Sequence, residues 1–352
     1  MRVAVIGLGL IGGSIGIAAR ERLGASVRGW DPDPDAVAAA RERGAIDAAA
    51  PGLAAAVADA DLAFVAAPVG ALPGVVRDVL AAAPEGCAVS DVGSTKRAVV
   101  MHDPRFCGGH PLAGAETSGA RHARGDLFEG AVWYLTPTAR TSGVLLERLH
   151  RAVAAFGARP LSIDPSTHDR LMAGISHLPH VLANVLVAQA AAALGGQALP
   201  ATGPSFRDAT RVAGANSVIW TDIYMSNRDV LAERIEDAVR RLSSVAQLLR
   251  SGDRAAVTAW NEAAAADRRA LLEAGLEGGP VHELRISVPN RPGVIAELAL
   301  ALGRAGVNIV DMALSPSADS RQGRVSLWVS GDEHAARAEA RVAELGFPVA
   351  RA

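Results

Sequence analysis

The sequence predicts an α/β protein in three parts: a doubly wound, mostly parallel sheet, an all-helical middle region, and a small α+β sandwich. Three observations lead there. Over residues 1–164 short apolar runs alternate with helical stretches, the pattern of a parallel sheet with helices on both faces. From 165 to about Gly278 strand signals stop and long apolar helical patterns take over. After Glu277-Gly278-Gly279-Pro280, a linker by composition, the tail (281–352) reads in the order βαββαβ.

Each element has its own signal. Arg2 to Ile6, Ser26 to Trp30, Leu62 to Ala66 and Ala88 to Asp91 are short β-rich runs, and later ones lie near Phe106, at Val132 to Leu135 and at Pro160 to Ile163. In the middle region His168 to Leu194, Arg228 to Leu249 and Ala255 to Leu276 repeat with helical periodicity. So many apolar helix faces imply packing on a second copy, a homodimer. The tail offers a strand (His282 to Val288), a loop (Pro289 to Gly293), a helix (Val294 to Ala305) and a strand (Val307 to Leu314). A polar loop, a strand (Arg324 to Val329), a helix (Glu333 to Leu345) and a short last strand complete it.

Composition narrows the function. At 352 residues, half of them apolar, the chain can build two or three cores. Its net charge of −2 and the absence of a basic block give no sign of nucleic acid. Lys96 is the only lysine among many arginines, which reads as coding bias. Cys87 and Cys107 form neither a C-x-x-C nor a zinc spacing, so two buried thiols in a reducing compartment are expected, and no metal. The opening is glycine-rich and lacks a clear cleavage pattern, and no run of about 18 uninterrupted strongly apolar residues appears. A cytoplasmic protein is expected.

Val5 to Gly12 is a GxGxxG that follows a strand and opens a helix. Gly7 allows the tight turn, Gly9 lets backbone approach a pyrophosphate, and Gly12 lets helix and strand pack closely. The helix start at Leu10 and Ile11 then turns free N–H groups toward the phosphates. Asp31 ends the second strand about 20 residues on, where a carboxylate binds the ribose hydroxyls. It would repel a 2′-phosphate. Pro32-Asp33-Pro34-Asp35 supplies no arginine, and Arg28 lies upstream on the strand. These features favour NAD over NADP in a Rossmann-type domain. The plain alternative is a glycine-rich turn with Asp31 as a helix cap.

Asp91-Val92-Gly93-Ser94-Thr95-Lys96 follows the fourth strand, which puts Ser94 at the carboxyl edge where open α/β sheets bind ligands. Gly108-Gly109-His110 follows another short strand. Two such edges bring Ser94 and His110 together. Histidine titrates near neutrality, so His110 is the natural general base, with Ser94 bonded to the imidazole or to a substrate hydroxyl. A lone histidine is also commonly structural. Further on, His177 and His180 lie three apart and share a helix face, while Pro179 between them kinks the helix. That spacing admits a metal pair, but no third ligand is evident.

GLGLIGGS, DVGSTK, GGHPLAGAETSG, SHLPH and FRDATR, with a tryptophan nine residues later, occur in order over about 280 residues. This series resembles the prephenate dehydrogenase family. The tail, through Val288-Pro289-Asn290-Arg291-Pro292-Gly293, is similar to an ACT regulatory domain. The resemblance implies NAD(P)-dependent oxidation of the prephenate C4 hydroxyl with loss of the ring carboxylate as CO2. It implies that His110 is the base, Ser94 its support, and Glu116 the glutamate that gates the pocket. Ala115 stands where the family often has threonine. Ser176, His177 and His180 become substrate contacts, Arg211 the guanidinium on a substrate carboxylate, and Trp220 a nearby aromatic, while Arg207 is read as a surface residue. Hydride leaves C4 for the nicotinamide, the base takes the hydroxyl proton, and aromatisation drives CO2 away.

In the tail, the resemblance implies an amino-acid site at Asn290, Pro292, Gly293, Val294 and Ile295, facing Asn308, with tyrosine as feedback effector. The family pattern has aspartate where this chain has Asn290, which weakens capture of an amino group. A tail kept for dimerisation is the alternative. Rival readings of the whole are arogenate dehydrogenase, 4-amino-4-deoxyprephenate dehydrogenase, and a non-catalytic sensor of NAD and amino acids.

Overall fold

The computed structural model describes residues 1–114, 117–193, 203–273, 281–289, 291, 293–307, 309–316 and 322–351. Five parallel strands form the first sheet: β1 (Arg2–Ile6), β2 (Ser26–Trp30), β3 (Ala48–Ala49), β4 (Leu62–Val65) and β5 (Ala88–Asp91), in the order β3-β2-β1-β4-β5. Helices α1 (Leu10–Leu23), α2 (Pro34–Glu42), α3 (Leu53–Val57) and α4 (Leu72–Ala82) cross between them. The central strands are buried on both faces. Val3 and Val5 of β1, with Leu62 and Phe64 of β4, join one core layer. Ala4, Ile6, Ala63 and Val65 join the other, against Leu72, Val76 and Val79 of α4. The two-residue period of a strand therefore sorts a continuous apolar run into two layers.

The next three strands depart from the sequence expectation of one mostly parallel sheet. β6 (Gly108–Pro111), β7 (Val132–Thr136) and β8 (Arg159–Ser162) form a separate mixed sheet, with β6 antiparallel to β7 and β7 parallel to β8. A single bridge, Val89 to Phe106, ties it to the first sheet. The reason lies in the connections. The described part of the β6–β7 link holds only a short 3₁₀ turn at Ala120–His122, so β7 returns antiparallel. α5 (Gly143–Ala155) is the crossover that makes β8 parallel.

α6 (Pro165–Met172), a π-helical turn (Ala173–His177) and α7 (Leu178–Ala193) follow one another as one helix, Pro165–Ala193. It holds an 18-residue window of mean hydropathy 1.5, apolar and long enough to cross a membrane. A search for uninterrupted apolar runs overlooks it, because His177, His180 and Asn184 interrupt the pattern. Then come α8 (Pro204–Thr210), a 3₁₀ turn (Arg211–Gly214), α9 (Ser217–Ser226), α10 (Arg228–Ser251) and α11 (Arg254–Glu273). α8 and α9 were not legible as periodic patterns because they are short. α9 is started by Asn216, whose side chain accepts the N–H groups of Val218 and Ile219.

The tail forms β9 (Val281–Pro289), α12 (Val294–Arg304), β10 (Ile309–Pro316), β11 (Gln322–Ser330), α13 (Asp332–Glu344) and β12 (Val349–Arg351). Its antiparallel sheet has the order β10-β11-β9-β12, matching the expected βαββαβ. Leu284 faces Leu327 and Ile286 faces Val325 in register, all four fully buried.

The chain divides into two compact units, Met1–His168 with Pro280–Ala352, and Asp169–Gly279. Inside the first unit the tail is packed on the nucleotide-end layers through α12. Gly303 lies so close to β8 that a Cβ there would sit 1.9 Å from the Ser162 carbonyl oxygen.

Candidate active site

The glycine turn after β1 is built as its spacing requires. Gly7 has φ +91°, and its N–H reaches the Trp30 carbonyl at 2.9 Å. A Cβ on Gly12 would lie 1.9 Å from the Gly7 oxygen. Gly9 is different: no described atom lies within 4 Å of where its Cβ would be, and no side chain caps α1. The first N–H groups of the helix, at Leu10 and Ile11, thus face space a pyrophosphate can enter, and the cradle fits a dinucleotide. Asp31 is pinned beside it. One carboxylate oxygen accepts Leu8 N–H at 2.7 Å and the other accepts Asp33 N–H at 2.9 Å. Arg28 is turned to Asp59 (2.8 Å) and the Ala55 carbonyl (3.0 Å).

His110 lies on β6 opposite Tyr134 of β7 and is buried. Its Nδ1 meets Nε2 of His168 at 2.9 Å, with the rings edge to face at 5.1 Å. Tyr134 packs edge-on against His168 at 5.5 Å. Burial raises the Tyr134 phenol pKa, which keeps it neutral. His168 is fully buried in the first turn of α6, where its N–H reaches the Asp164 carbonyl. The Asp164 side chain accepts Thr167 N–H at 3.0 Å and so caps that turn. A bond between two ring nitrogens requires one to carry a hydrogen and the other a lone pair. If His110 keeps its hydrogen on Nδ1, its Nε2 is the basic nitrogen. The sequence offered His168 only as part of a boundary string. Its signal was the Asp-Pro start three residues before it, which commits the histidine to the first, buried turn.

Ser94 is half-buried in the loop after β5. That loop is tied to the strand of His110, because Asp91 accepts Gly109 N–H at 3.2 Å and Lys96 donates to the Gly109 carbonyl at 2.7 Å. The two motifs therefore share one sheet edge. Glu116 lies outside the described residues.

In the helical unit the expected kink at Pro179 takes the form of the π-turn before it. Leu178 N–H reaches back five residues to Ala173, and Pro179 has no N–H to offer Ile175. His177 and His180 both face Trp220 of α9. The His180 ring stacks on it at 3.6 Å and 7°, and His177 meets it edge-on at 6.3 Å. Tyr224 O–H and Asn184 Nδ2 both point at His180 Nδ1, the amide from 3.3 Å. Nδ1 is thus an acceptor, and the hydrogen sits on Nε2. Nε2 is buried and has no hydrogen-bond partner of normal geometry among the described residues. Burial holds His180 below the ordinary histidine value of 6.5, and the Val212 backbone offsets part of that. His177 is buried, with its Nδ1 3.3 Å from Asn227 Nδ2, which also donates to the Asp169 carbonyl. Ser176 is half-buried in the π-turn. Arg211, exposed, opens the 3₁₀ turn that packs on α7, and Arg207 is exposed on α8. Tyr224, Asn184 and Asn227 were not singled out from sequence, since no motif marks them.

In the tail, Gly293 stands at the start of α12 with φ +83°, and a Cβ there would lie 2.1 Å from the Ala139 carbonyl oxygen. Val294 and Ile295 are buried. Asn290, Pro292 and Asn308 lie outside the described residues. Among the described residues no group of three His, Cys, Asp or Glu side chains could hold a metal ion. Both cysteines are free and buried, and burial pushes the Cys87 thiol up to about 12 and Cys107 also upward, so neither is a ready nucleophile.

A buried imidazole at the edge of a nucleotide-binding sheet places the protein among the dinucleotide-dependent oxidoreductases. Comparison with known proteins narrows that class. The model of the prephenate dehydrogenase nucleotide-binding domain matches residues 15–161, that of the prephenate dehydrogenase dimerization domain residues 164–261, and that of the ACT domain residues 282–341. Prephenate dehydrogenase of Bacillus subtilis is 29% identical over 96% of this chain and 94% of its own length. That of Lactococcus lactis is 30% identical over 86% of each. Two solved structures superpose with TM-scores of 0.68 at 26% identity. Synechocystis arogenate dehydrogenase covers 77% of this chain and 100% of its own. A. aeolicus prephenate dehydrogenase, in complex with hydroxyphenyl propionate and NAD+, covers 76% and 98%. The chain belongs to the prephenate dehydrogenase family.

Proposed function

We propose that the protein converts prephenate and NAD+ into 4-hydroxyphenylpyruvate, CO2 and NADH, a step of tyrosine biosynthesis. The observation that carries this reading is the buried His110–His168 pair at the edge of a sheet whose opening glycine turn fits a dinucleotide. NAD+ on that cradle supplies the hydride acceptor. His110 Nε2 takes the C4 hydroxyl proton as the C4 hydride departs. His168 accepts the His110 Nδ1–H, which fixes the tautomer a base requires. Ser94 supports the imidazole or the substrate hydroxyl. The ring carboxylate then leaves as CO2, its bonding electrons completing the aromatic ring, and the oxygen on the oxidised carbon takes back the proton from His110 to end as the phenol. Arg211 provides a guanidinium for a substrate carboxylate. His180 Nε2–H, already desolvated, is a donor for a substrate oxygen, while Ser176, His177 and Trp220 lie beside it. Glu116 is the gate. Asp31 favours NAD through its ribose hydroxyls.

Arogenate is the second reading, favoured by the equal likeness to an arogenate dehydrogenase. The ACT tail makes tyrosine the expected effector, at Asn290 to Ile295 with Asn308. Two copies pair through the exposed apolar faces of the helical unit. The soluble biosynthetic reading places the enzyme in the cytoplasm, with the apolar helix Pro165–Ala193 covered by protein.

The test is NADH absorbance with prephenate and with arogenate, each with NAD and NADP. Prephenate with NAD is expected to be fastest by at least about tenfold, roughly the selectivity that one unpaired polar group imposes. Absence of turnover with both substrates overturns the reading, and faster turnover with arogenate replaces the substrate. Tyrosine is expected to inhibit. Absence of both inhibition and binding by calorimetry rejects the regulatory part.

A further inference from the structure

Of the 35 lysines and arginines in this chain, Lys96 alone is lysine. It is also buried, 2% exposed, and it is paired with Asp91, which is fully buried. A compositional drift to arginine that spares one position marks a place where a guanidinium does not fit. The surroundings agree. A Cβ on Gly108 would already lie 3.3 Å from Lys96 Cδ, and one on Gly93 3.7 Å from Nζ. A planar fork is larger than an ammonium and needs more partners.

The pair is aimed at the backbone of one residue. Lys96 Nζ donates to the Gly109 carbonyl at 2.7 Å, and Asp91 Oδ1 accepts Gly109 N–H at 3.2 Å. Both backbone polar groups of the residue before His110 are thus held by the ion pair. Asp91 Oδ2 accepts Gly93 N–H at 2.8 Å, which ties the loop of Ser94 to the same carboxylate. Gly109 has no room to shift, since a Cβ there would fall 2.7 Å from both the Asp91 carbonyl oxygen and Ser90 Oγ.

We propose that Lys96 is a positioning residue for the reaction: with Asp91 it clamps the Gly109 backbone, N–H and C=O, so that His110 stands in fixed register with the Ser94 loop. The inference rests on His110 being the base. It assigns to the ion pair a task beyond stability, because the clamp acts on the backbone that aims the imidazole. A displacement of about 1 Å at a reacting group can cost on the order of 10²-fold in rate.

The experiment uses the full chain with Lys96→Met, Lys96→Arg and the double variant Asp91→Asn with Lys96→Met, beside Leu80→Ala as a destabilised core control that leaves the ion pair intact. Steady-state kinetics, NAD affinity by calorimetry and hydrogen exchange over residues 106–111 are read together. Lys96→Met is expected to lose about 10²-fold in kcat, with KM for prephenate and NAD affinity within about threefold, the margin of an unchanged binding site. Exchange over 106–111 rises, and Lys96→Arg does not restore kcat. If Lys96→Met fails to fold, the uncharged double variant carries the same expectations. Equal kcat, or unchanged exchange over 106–111, overturns the proposal, as does a loss that Leu80→Ala reproduces. A wild-type protein inactive on both substrates sinks the functional reading instead, and the exchange result then still decides the clamp.

Discussion

Burial decides what each histidine can do. His168, with no exposed surface, meets His110 Nδ1 through its Nε2, and the proposed reaction has it accept the Nδ1–H. His168→Leu leaves that hydrogen without a partner, an unpaired buried donor that costs about 1–3 kcal/mol. Chemical denaturation should register that loss, and kcat should fall by about tenfold or more as the tautomer becomes free. Unchanged kcat would leave His168 without a role. His180 makes a prediction in pH. Burial holds it below 6.5 in the folded state, so between its folded and unfolded values the unfolded chain binds more protons. Stability therefore rises with pH through that window and falls as the solution is acidified below about 6.5. Melting temperature from pH 5 to pH 7 should show this slope for the wild type and a shallower one for His180→Gln. Equal slopes would contradict a buried neutral imidazole.

At the level of elements, the tail meets the nucleotide end where α12 lies on β8. Gly303→Ala would place a methyl 1.9 Å from the Ser162 carbonyl oxygen, and overpacking of this kind costs about 1–3 kcal/mol. A lower denaturation midpoint is expected, and an unchanged one would mean that the seam yields freely. The next residue, Arg304, pairs with Asp164 at 3.7 Å, and Asp164 caps the turn that carries His168. The tail thus touches the cap of the helix that carries His168. Much of this scale was legible in sequence, because strands buried on both faces and the βαββαβ tail have local signatures. The second sheet was misread because strand direction follows from the connection, and the short 3₁₀ turn in the described part of the β6–β7 link leaves no mark in either strand. Within the site, Gly7, Gly9, Gly12 and Asp31 were legible for the same local reason. His168, Tyr224 and Asn227 were not, since their bonds to His110, His180 and His177 span 58, 44 and 50 residues.

For the whole molecule, the helical unit leaves large apolar side chains exposed. Only 28% of the apolar window in Pro165–Ala193 is buried, and Val185, Val218 and Met225 are 53%, 74% and 57% exposed. Exposed apolar side chains of this number suit an interface between copies. The account expects a dimer by sedimentation, and Val185→Asp to shift it toward monomer, since a charge in a desolvated interface costs several kcal/mol. A monomeric wild type would contradict the pairing.

The central claim is that His110 takes the proton as the hydride leaves. Its most direct test is a single-turnover measurement of NADH formation by wild type and His110→Asn with saturating prephenate, beside NAD affinity by calorimetry. The account predicts at least about 10²-fold slower formation in the variant, the share of a general base, with NAD affinity within about twofold. A variant that forms NADH within about tenfold of the wild-type rate would contradict it.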